Sequence, residues 1–155
     1  MHPTALKVQR RLCEFGLGVE VRELAESTRT AAEAAAAVGC EVAQIVKSLV
    51  FVANGEPILC LCAGDRRVDT AKLSPDVRRA NADEVRQATG FAIGGVPPFG
   101  HELGLRTVVD ASLCRFETVW CAAGTPNAVF PIGMADLLAA VGCVRVDGDA
   151  FGPFG

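Results

Sequence analysis

The sequence predicts an α+β fold in one domain, and three observations carry that expectation. A 155-residue chain with 50% hydrophobic and 21% charged residues is long enough for one substantial core and too apolar to be disordered. Ile45 to Ala63 reads as a β-hairpin: two apolar, β-branched runs joined by Asn54-Gly55, a pair suited to the left-handed positions of a tight turn. The helical stretches stand apart from the strands instead of alternating with them, which argues against regular βαβ winding.

Taken in order, residues 4 to 15 carry Leu6, Val8, Leu12, Cys13 and Phe15 among Lys7, Gln9, Arg10 and Arg11, a helical spacing stopped by Gly16 and Gly18. Val19 to Leu24 alternates as a strand does. Thr30-Ala31-Ala32-Glu33 is a capping box, and the alanine run behind it makes a helix that Gly39 ends. The hairpin follows, with strands Ile45–Ala53 and Pro57–Ala63. Ser74 to Ala80 suggests a short helix, and Asn81 to Thr89 another that stops at Gly90. Arg106–Asp110 and Glu117–Ala122 read as strands, Gly124-Thr125-Pro126-Asn127 as a turn, and Val129–Ile132 as a short strand. Met134 to Val141 is a helix ended by Gly142, with a last strand from Cys143 to Val146. From Asp147 to Gly155 there is no periodicity, and this tail is expected to be loose.

Two features resist a purely structural account. Lys47 lies inside the first hairpin strand, on one face with Ile45, Leu49 and Phe51, while Val46, Ser48, Val50 and Val52 take the other. Both faces are apolar, so the charge is conspicuous. It is either a stem that packs while its amine reaches water, or an ammonium held at a cleft toward a phosphate or carbonyl oxygen. The second feature is the run Thr89-Gly90-Phe91-Ala92-Ile93-Gly94-Gly95-Val96-Pro97-Pro98-Phe99-Gly100-His101. Glycine admits close approach and positive φ, and the prolines stiffen the chain. Such a loop reads as a turn between strands, or as a rigid cradle offering the N–H groups of Gly94, Gly95 and Val96 to an anion or polarised carbonyl.

Composition narrows the chemistry. Net charge is −3 with a pI near 5.4, which disfavours a protein that grips long DNA or RNA duplexes. A local patch of Arg66, Arg67, Lys72, Arg78 and Arg79 can hold a short piece of nucleic acid, or form a solvated face. No run is long enough to span a membrane, and Met1-His2-Pro3-Thr4 lacks a signal-peptide layout, so a cytoplasmic location with no membrane partner is expected. The 7 cysteines include no C-x-x-C pair, and with only 2 histidines, His2 and His101, they argue for buried thiols over a zinc site. No cysteine has an obvious base beside it, which weakens a thiol nucleophile.

The order of Val46-Lys47-Ser48-Leu49-Val50-Phe51, Ala63-Gly64-Asp65, Arg67-Val68-Asp69, Lys72-Leu73, Thr89-Gly90-Phe91, Gly94-Gly95-Val96-Pro97-Pro98-Phe99-Gly100 and Val108-Val109-Asp110 resembles the YbaK family, over about residues 30 to 141. These are free-standing relatives of the editing domain inserted in bacterial prolyl-tRNA synthetases. The resemblance implies a single α+β domain on a mixed, mostly antiparallel sheet. It also implies hydrolysis of the ester joining a wrong amino acid to the terminal adenosine of a tRNA. Carried over, Lys47 binds the phosphate or ester end of that adenosine, and Gly94 and Gly95 line the aminoacyl pocket as the catalytic set. Ser48, Thr89, Val96, Pro98, Gly124 and Asn127 are the expected substrate-binding residues, with no metal or cofactor. The partners implied are a tRNA acceptor end and, as a second candidate, an aminoacyl-tRNA synthetase.

An activated ester needs only a positioned water and a stabilised oxyanion, and in the family the neighbouring ribose hydroxyl is thought to assist. Where cysteine-editing relatives carry an aspartate and alanine editors a histidine, this chain has Gly124-Thr125-Pro126-Asn127-Ala128-Val129-Phe130. Asn127 is the polar side chain there able to orient an amine or water, or else an ordinary turn residue. The expected activity is trans-editing of tRNA carrying a small amino acid such as Ala, Ser or Thr. The alternative is a non-catalytic module that binds aminoacyl-adenosine or docks on a synthetase. His101 is expected to be an exposed loop residue before it is a base.

Overall fold

The hairpin at the centre of the sequence is also the centre of the architecture. The computed structural model describes residues 1–25, 30–101, 104–142, 144–148 and 150–153. Its helices are α1 (Pro3–Glu14), α2 (Ala31–Val38), α3 (Thr70–Leu73), α4 (Ala82–Thr89) and α5 (Met134–Val141). Its strands are β1 (Arg22–Glu23), β2 (Val46–Ala53), β3 (Glu56–Ala63), β4 (Arg66–Val68), β5 (Val77–Arg79), β6 (Arg106–Asp110), β7 (Thr118–Ala122), β8 (Ala128–Gly133), β9 (Val144–Asp147) and β10 (Phe151–Pro153). Short 3-10 turns sit at Val42–Gln44 and Ala111–Arg115.

Five strands form one sheet in the order β5-β2-β3-β6-β9, antiparallel across the first two ladders and parallel across the last two. β1, β8 and β7 make a second, antiparallel sheet, joined to the start of β2 by a bridge between Ile45 and Trp120. β4 and β10 pair on their own. The result is the α+β domain on mixed, mostly antiparallel sheets that the sequence led us to expect.

Local chemistry explains the boundaries. Asn54 and Gly55 both take positive φ, 52° and 80°, as the hairpin turn demands. Thr30 Oγ1 accepts the Glu33 N–H at 3.1 Å to cap α2. Asn81 and Glu84 cap α4 reciprocally, each accepting from the other's backbone at 2.9 Å. The period-two pattern of the hairpin feeds two cores, one on each sheet face. Val46, Val50, Leu59 and Leu61 join α1, α5 and the second sheet. Phe51, Ile58, Cys60 and Cys62 join Leu73, Val108 and Phe151.

Three expectations need correction. The strand over Val19–Leu24 contracts to β1, because the Gln9 amide takes over the backbone ahead of it. Its Nε2 donates to the Val19 carbonyl at 3.0 Å and its Oε1 accepts the Val21 N–H at 2.8 Å. The helix expected over Ser74–Ala80 is the strand β5. The open edge of β2 offers ladder partners in the register Phe51↔Arg79, Val52↔Arg78 and Ala53↔Val77, and this tertiary pairing overrides local preference. The tail is not loose at 151–153. Phe151 is buried in the second core, and β10 pairs with β4. The expected strand start at Cys143 lies outside the described residues.

Candidate active site

β2 gains its second neighbour late. β5 pairs with it only from Phe51, and the second sheet's one backbone bridge to it falls just before its start, at Ile45. The edge between these two contacts is left open, and a cavity of about 910 Å³ fills the gap. Its walls are apolar: Ala34 and Val38 of α2, Val46 and Val50 of β2, Val85 of α4, and Trp120 and Cys121 of β7. Three cations line it, Lys47, Arg67 and Arg79, and no carboxylate does among the described residues. In a chain of net charge −3 that is a local reversal of sign, and apolar walls around it strengthen its pull on an anion.

Lys47 is half-buried, and its Nζ donates to the backbone carbonyl of Arg66. Lys47 lines the cavity, and its amine is held on a backbone carbonyl of strand β4. Ser48 lines the same cavity, and its buried hydroxyl has no hydrogen-bond partner.

The glycine loop divides its residues between wall and scaffold. Ile93, Gly94 and Val96 line the cavity, with Ile93 49% exposed at its mouth. Gly94 has φ +89° and open space where a side chain would stand. The N–H groups of Gly94 and Val96 meet no backbone acceptor among the described residues, whereas the Gly95 N–H is spent on the Ala92 carbonyl at 3.0 Å. Gly95 is therefore not one of the free donors. Its backbone lies against that of Gly124, whose N–H it accepts at 2.8 Å, and a Cβ on Gly95 would fall 2.5 Å from the Gly124 carbonyl oxygen.

Several other expected binding residues stand behind the wall. Gly124 packs on α1, where a Cβ would meet Thr4 Cγ2 at 2.9 Å. Thr89 is fully buried; its Oγ1 donates to the Val85 carbonyl at 2.8 Å and accepts the Phe91 N–H at 3.0 Å. Pro98 is buried away from the cavity. Asn127 clamps the chain at Leu24, donating from Nδ2 to its carbonyl at 3.1 Å and accepting the Leu24 N–H on its own carbonyl at 2.7 Å. Its side-chain oxygen accepts from Thr125 Oγ1 at 3.0 Å, and it is Thr125 that reaches the cavity.

His101 is half-buried, not exposed. The Pro97 carbonyl can only accept, so the 2.7 Å contact means that Nε2 carries the proton. Burial lowers the ring's pKa, and Arg11 pushes the same way. The imidazole braces the loop and does not line the cavity.

The suspected basic patch also splits. Arg67 and Arg79 face the cavity, but Arg78 forms a bidentate pair with Glu84 at 2.8 and 2.7 Å, which holds that carboxyl down at about 2. Among the thiols, burial pushes Cys62 up to about 12 and raises Cys121 as well, so neither is a thiolate at neutral pH. Among the described residues no group of three or more His, Cys, Asp and Glu side chains is placed to hold a metal ion. None of the described helices is long and apolar enough to cross a membrane. Sequence reasoning gave no place in the site to Thr125, Trp120, Cys121 or Val85. They enter because β7, the turn after it and α4 pack around the open edge of β2, for which a single sequence carries no local signal.

An α+β domain with a largely apolar cleft at an open strand edge, lined by three cations, has the form of a small-ligand site. The chain matches the model of the aminoacyl-tRNA editing domain over residues 25–140, and it belongs to that family. It is 35% identical over 123 residues to the uncharacterized protein YwhH of Bacillus subtilis, covering 76% of this chain and 78% of that protein. It is 36% identical over 75 residues to the proline–tRNA ligase of Lactobacillus gasseri, covering 45% of this chain but only 13% of the ligase. A solved structure of a candidate trans-editing enzyme for prolyl-tRNA synthetase superposes with a TM-score of 0.89 at 46% identity, over 96% of this chain and 97% of that one. The resemblance to the YbaK-type editing domains read from Lys47 and the glycine loop is thereby shown.

Proposed function

We propose that the chain is a trans-acting aminoacyl-tRNA deacylase that hydrolyses the ester of a tRNA mischarged with a small amino acid, Ala, Ser or Thr. The observation that carries this reading is the trio Lys47, Arg67 and Arg79 around a largely apolar cleft with no carboxylate among its described lining residues. Phosphates of a tRNA 3′ end are the anions that such a site would take, and the apolar depth suits a short acyl group. Likeness to a candidate trans-editing enzyme for prolyl-tRNA synthetase supports a tRNA charged by that synthetase, in the cytoplasm where charging occurs.

Lys47 holds the terminal adenosine by its phosphate or ester end, and the N–H groups of Gly94 and Val96 face the carbonyl oxygen as charge develops on it. Water attacks the acyl carbon, assisted by the neighbouring ribose hydroxyl of the substrate. The ester C–O bond breaks, and the departing ribose oxygen takes the proton. Positioning and oxyanion stabilisation supply the acceleration, and no metal takes part in the reading.

The test is a panel of aminoacyl-tRNAs, with and without a chelator. Release of one small amino acid well above the spontaneous rate, unaffected by the chelator, is expected. Tight binding of uncleaved aminoacyl-tRNA would instead establish a binding module.

A further inference from the structure

We infer that Asp110, acting through Arg66, positions the Lys47 ammonium in the cleft; this rests on Lys47 serving the ester site proposed above. Asp110 ends β6 and is 0% exposed. A carboxylate taken out of water needs partners, and this one has three. Its Oδ2 accepts the Ala63 N–H at 3.0 Å, its Oδ1 accepts the Ser112 N–H at 2.9 Å, and Arg66 Nε lies 3.8 Å from Oδ2. Arg66 Nε is itself buried without a hydrogen-bond acceptor, so the carboxylate is the group set against its charge. The other end of the same guanidinium donates from Nη2 to the Phe151 carbonyl of β10 at 2.8 Å.

The Arg66 guanidinium is thus held at two of its nitrogens, and the backbone carbonyl of the same residue is the one that accepts from Lys47 Nζ. Asp110 also holds the last residue of β3, Ala63, beside Cys62, the register partner of Lys47. Two independent attachments from one buried carboxylate therefore converge on the place where the amine is held. A buried ion pair adds little net stability over an apolar filling, but it fixes geometry. Catalysis by a point charge on a flexible stem is where such fixing is felt. The tail strand β10 belongs to the same device, since it supplies the second attachment of Arg66.

Asp110→Asn and Arg66→Gln, each made with Lys47 present and with Lys47→Ala, test the inference. With Lys47 present, deacylation should fall by about 10- to 100-fold, concentrated in kcat, the scale of a misplaced catalytic group. In the Lys47→Ala background neither substitution should lower the residual rate per folded molecule, because the two act through the lysine. A second readout needs no activity. Reductive methylation of Lys47, scored by mass spectrometry against the exposed Lys72 in the same molecule, should run faster in both variants than in the wild type. Arg66→Gln keeps both backbone contacts of Asp110, and it carries the test if Asp110→Asn does not fold. Equal methylation of Lys47 in wild type and variants, or equal rate losses with and without Lys47, overturns the inference. A wild type that cleaves no ester, with faster Lys47 methylation in the variants, overturns the deacylase reading and leaves the positioning role standing.

Discussion

Gly95→Ala is the substitution whose cost the structure sets most directly. The added Cβ would lie 2.5 Å from the Gly124 carbonyl oxygen, 2.6 Å from its carbon and 2.9 Å from the Thr125 nitrogen. All three are backbone atoms, so no side chain can swing aside. Each is roughly 1 Å nearer than a comfortable contact, and the two loops must part. Overpacking of this kind costs about 1–3 kcal/mol. At this chain length that lowers Tm by roughly 2–12 °C. Thr125, next to the displaced carbonyl, lines the cleft, so deacylation per folded molecule should fall as well. Gly94→Ala is the matched control. Its methyl would meet nothing within 4 Å, but φ is +89°. Only backbone strain of about 1 kcal/mol is added, with a methyl placed in the space proposed for the acyl group. Thermal unfolding and deacylation measured on the same preparations compare the pair. Gly95→Ala with a wild-type Tm, or Gly94→Ala with the larger loss of stability, would refute the reasoning.

Further outcomes are expected. Lys47→Ala should cut deacylation by about 30- to 1,000-fold, the kinetic equivalent of about 2–4 kcal/mol, with a modest change in stability; an unchanged rate removes the lysine from the mechanism. Asn127→Ala should cost about 1–2 kcal/mol in urea unfolding by removing the side-chain bond to the Leu24 carbonyl while the backbone bond stays, with turnover per folded molecule nearly intact, and a large loss of turnover at wild-type stability would put Asn127 back in the site. Alkylation at neutral pH should modify the exposed Cys13 and Cys114 and spare Cys62 and Cys121, leaving activity unchanged, which mass spectrometry and rate together will check. Burial raises the Cys62 thiol from 9.0 to about 12, so between these values the unfolded chain binds fewer protons than the folded one. This group's contribution to stability is therefore complete below pH 9.0 and is lost as pH rises toward about 12, measurable as a falling unfolding free energy across that window.

The sequence by itself determined what depends on neighbours along the chain. Asn54-Gly55 set the hairpin, Thr30 and Asn81 set helix starts, and alternation along Ile45–Val52 assigned each residue to one of two strand faces. It also marked Lys47 and the Gly94-Gly95 loop, because a charge in an apolar strand and a stiffened double glycine are visible without any fold. Tertiary structure decided which of those residues face the cleft. Gly94 and Gly95 are indistinguishable on paper, yet one opens onto the cavity and the other is wedged against Gly124, a difference made by a loop nearly thirty residues away. Asn127, legible as a polar turn residue, is spent on Leu24, and Thr125 beside it takes the cavity position. Ser74–Ala80 is a strand in part because β2 had an open edge to pair, and the tail is ordered at 151–153 because β4 offered another. The physical reason is common to all of these. Caps, turns and alternation draw their energy from groups a few residues apart, whereas a cleft is bounded by backbone edges and packed surfaces that meet only once the sheets have closed on each other.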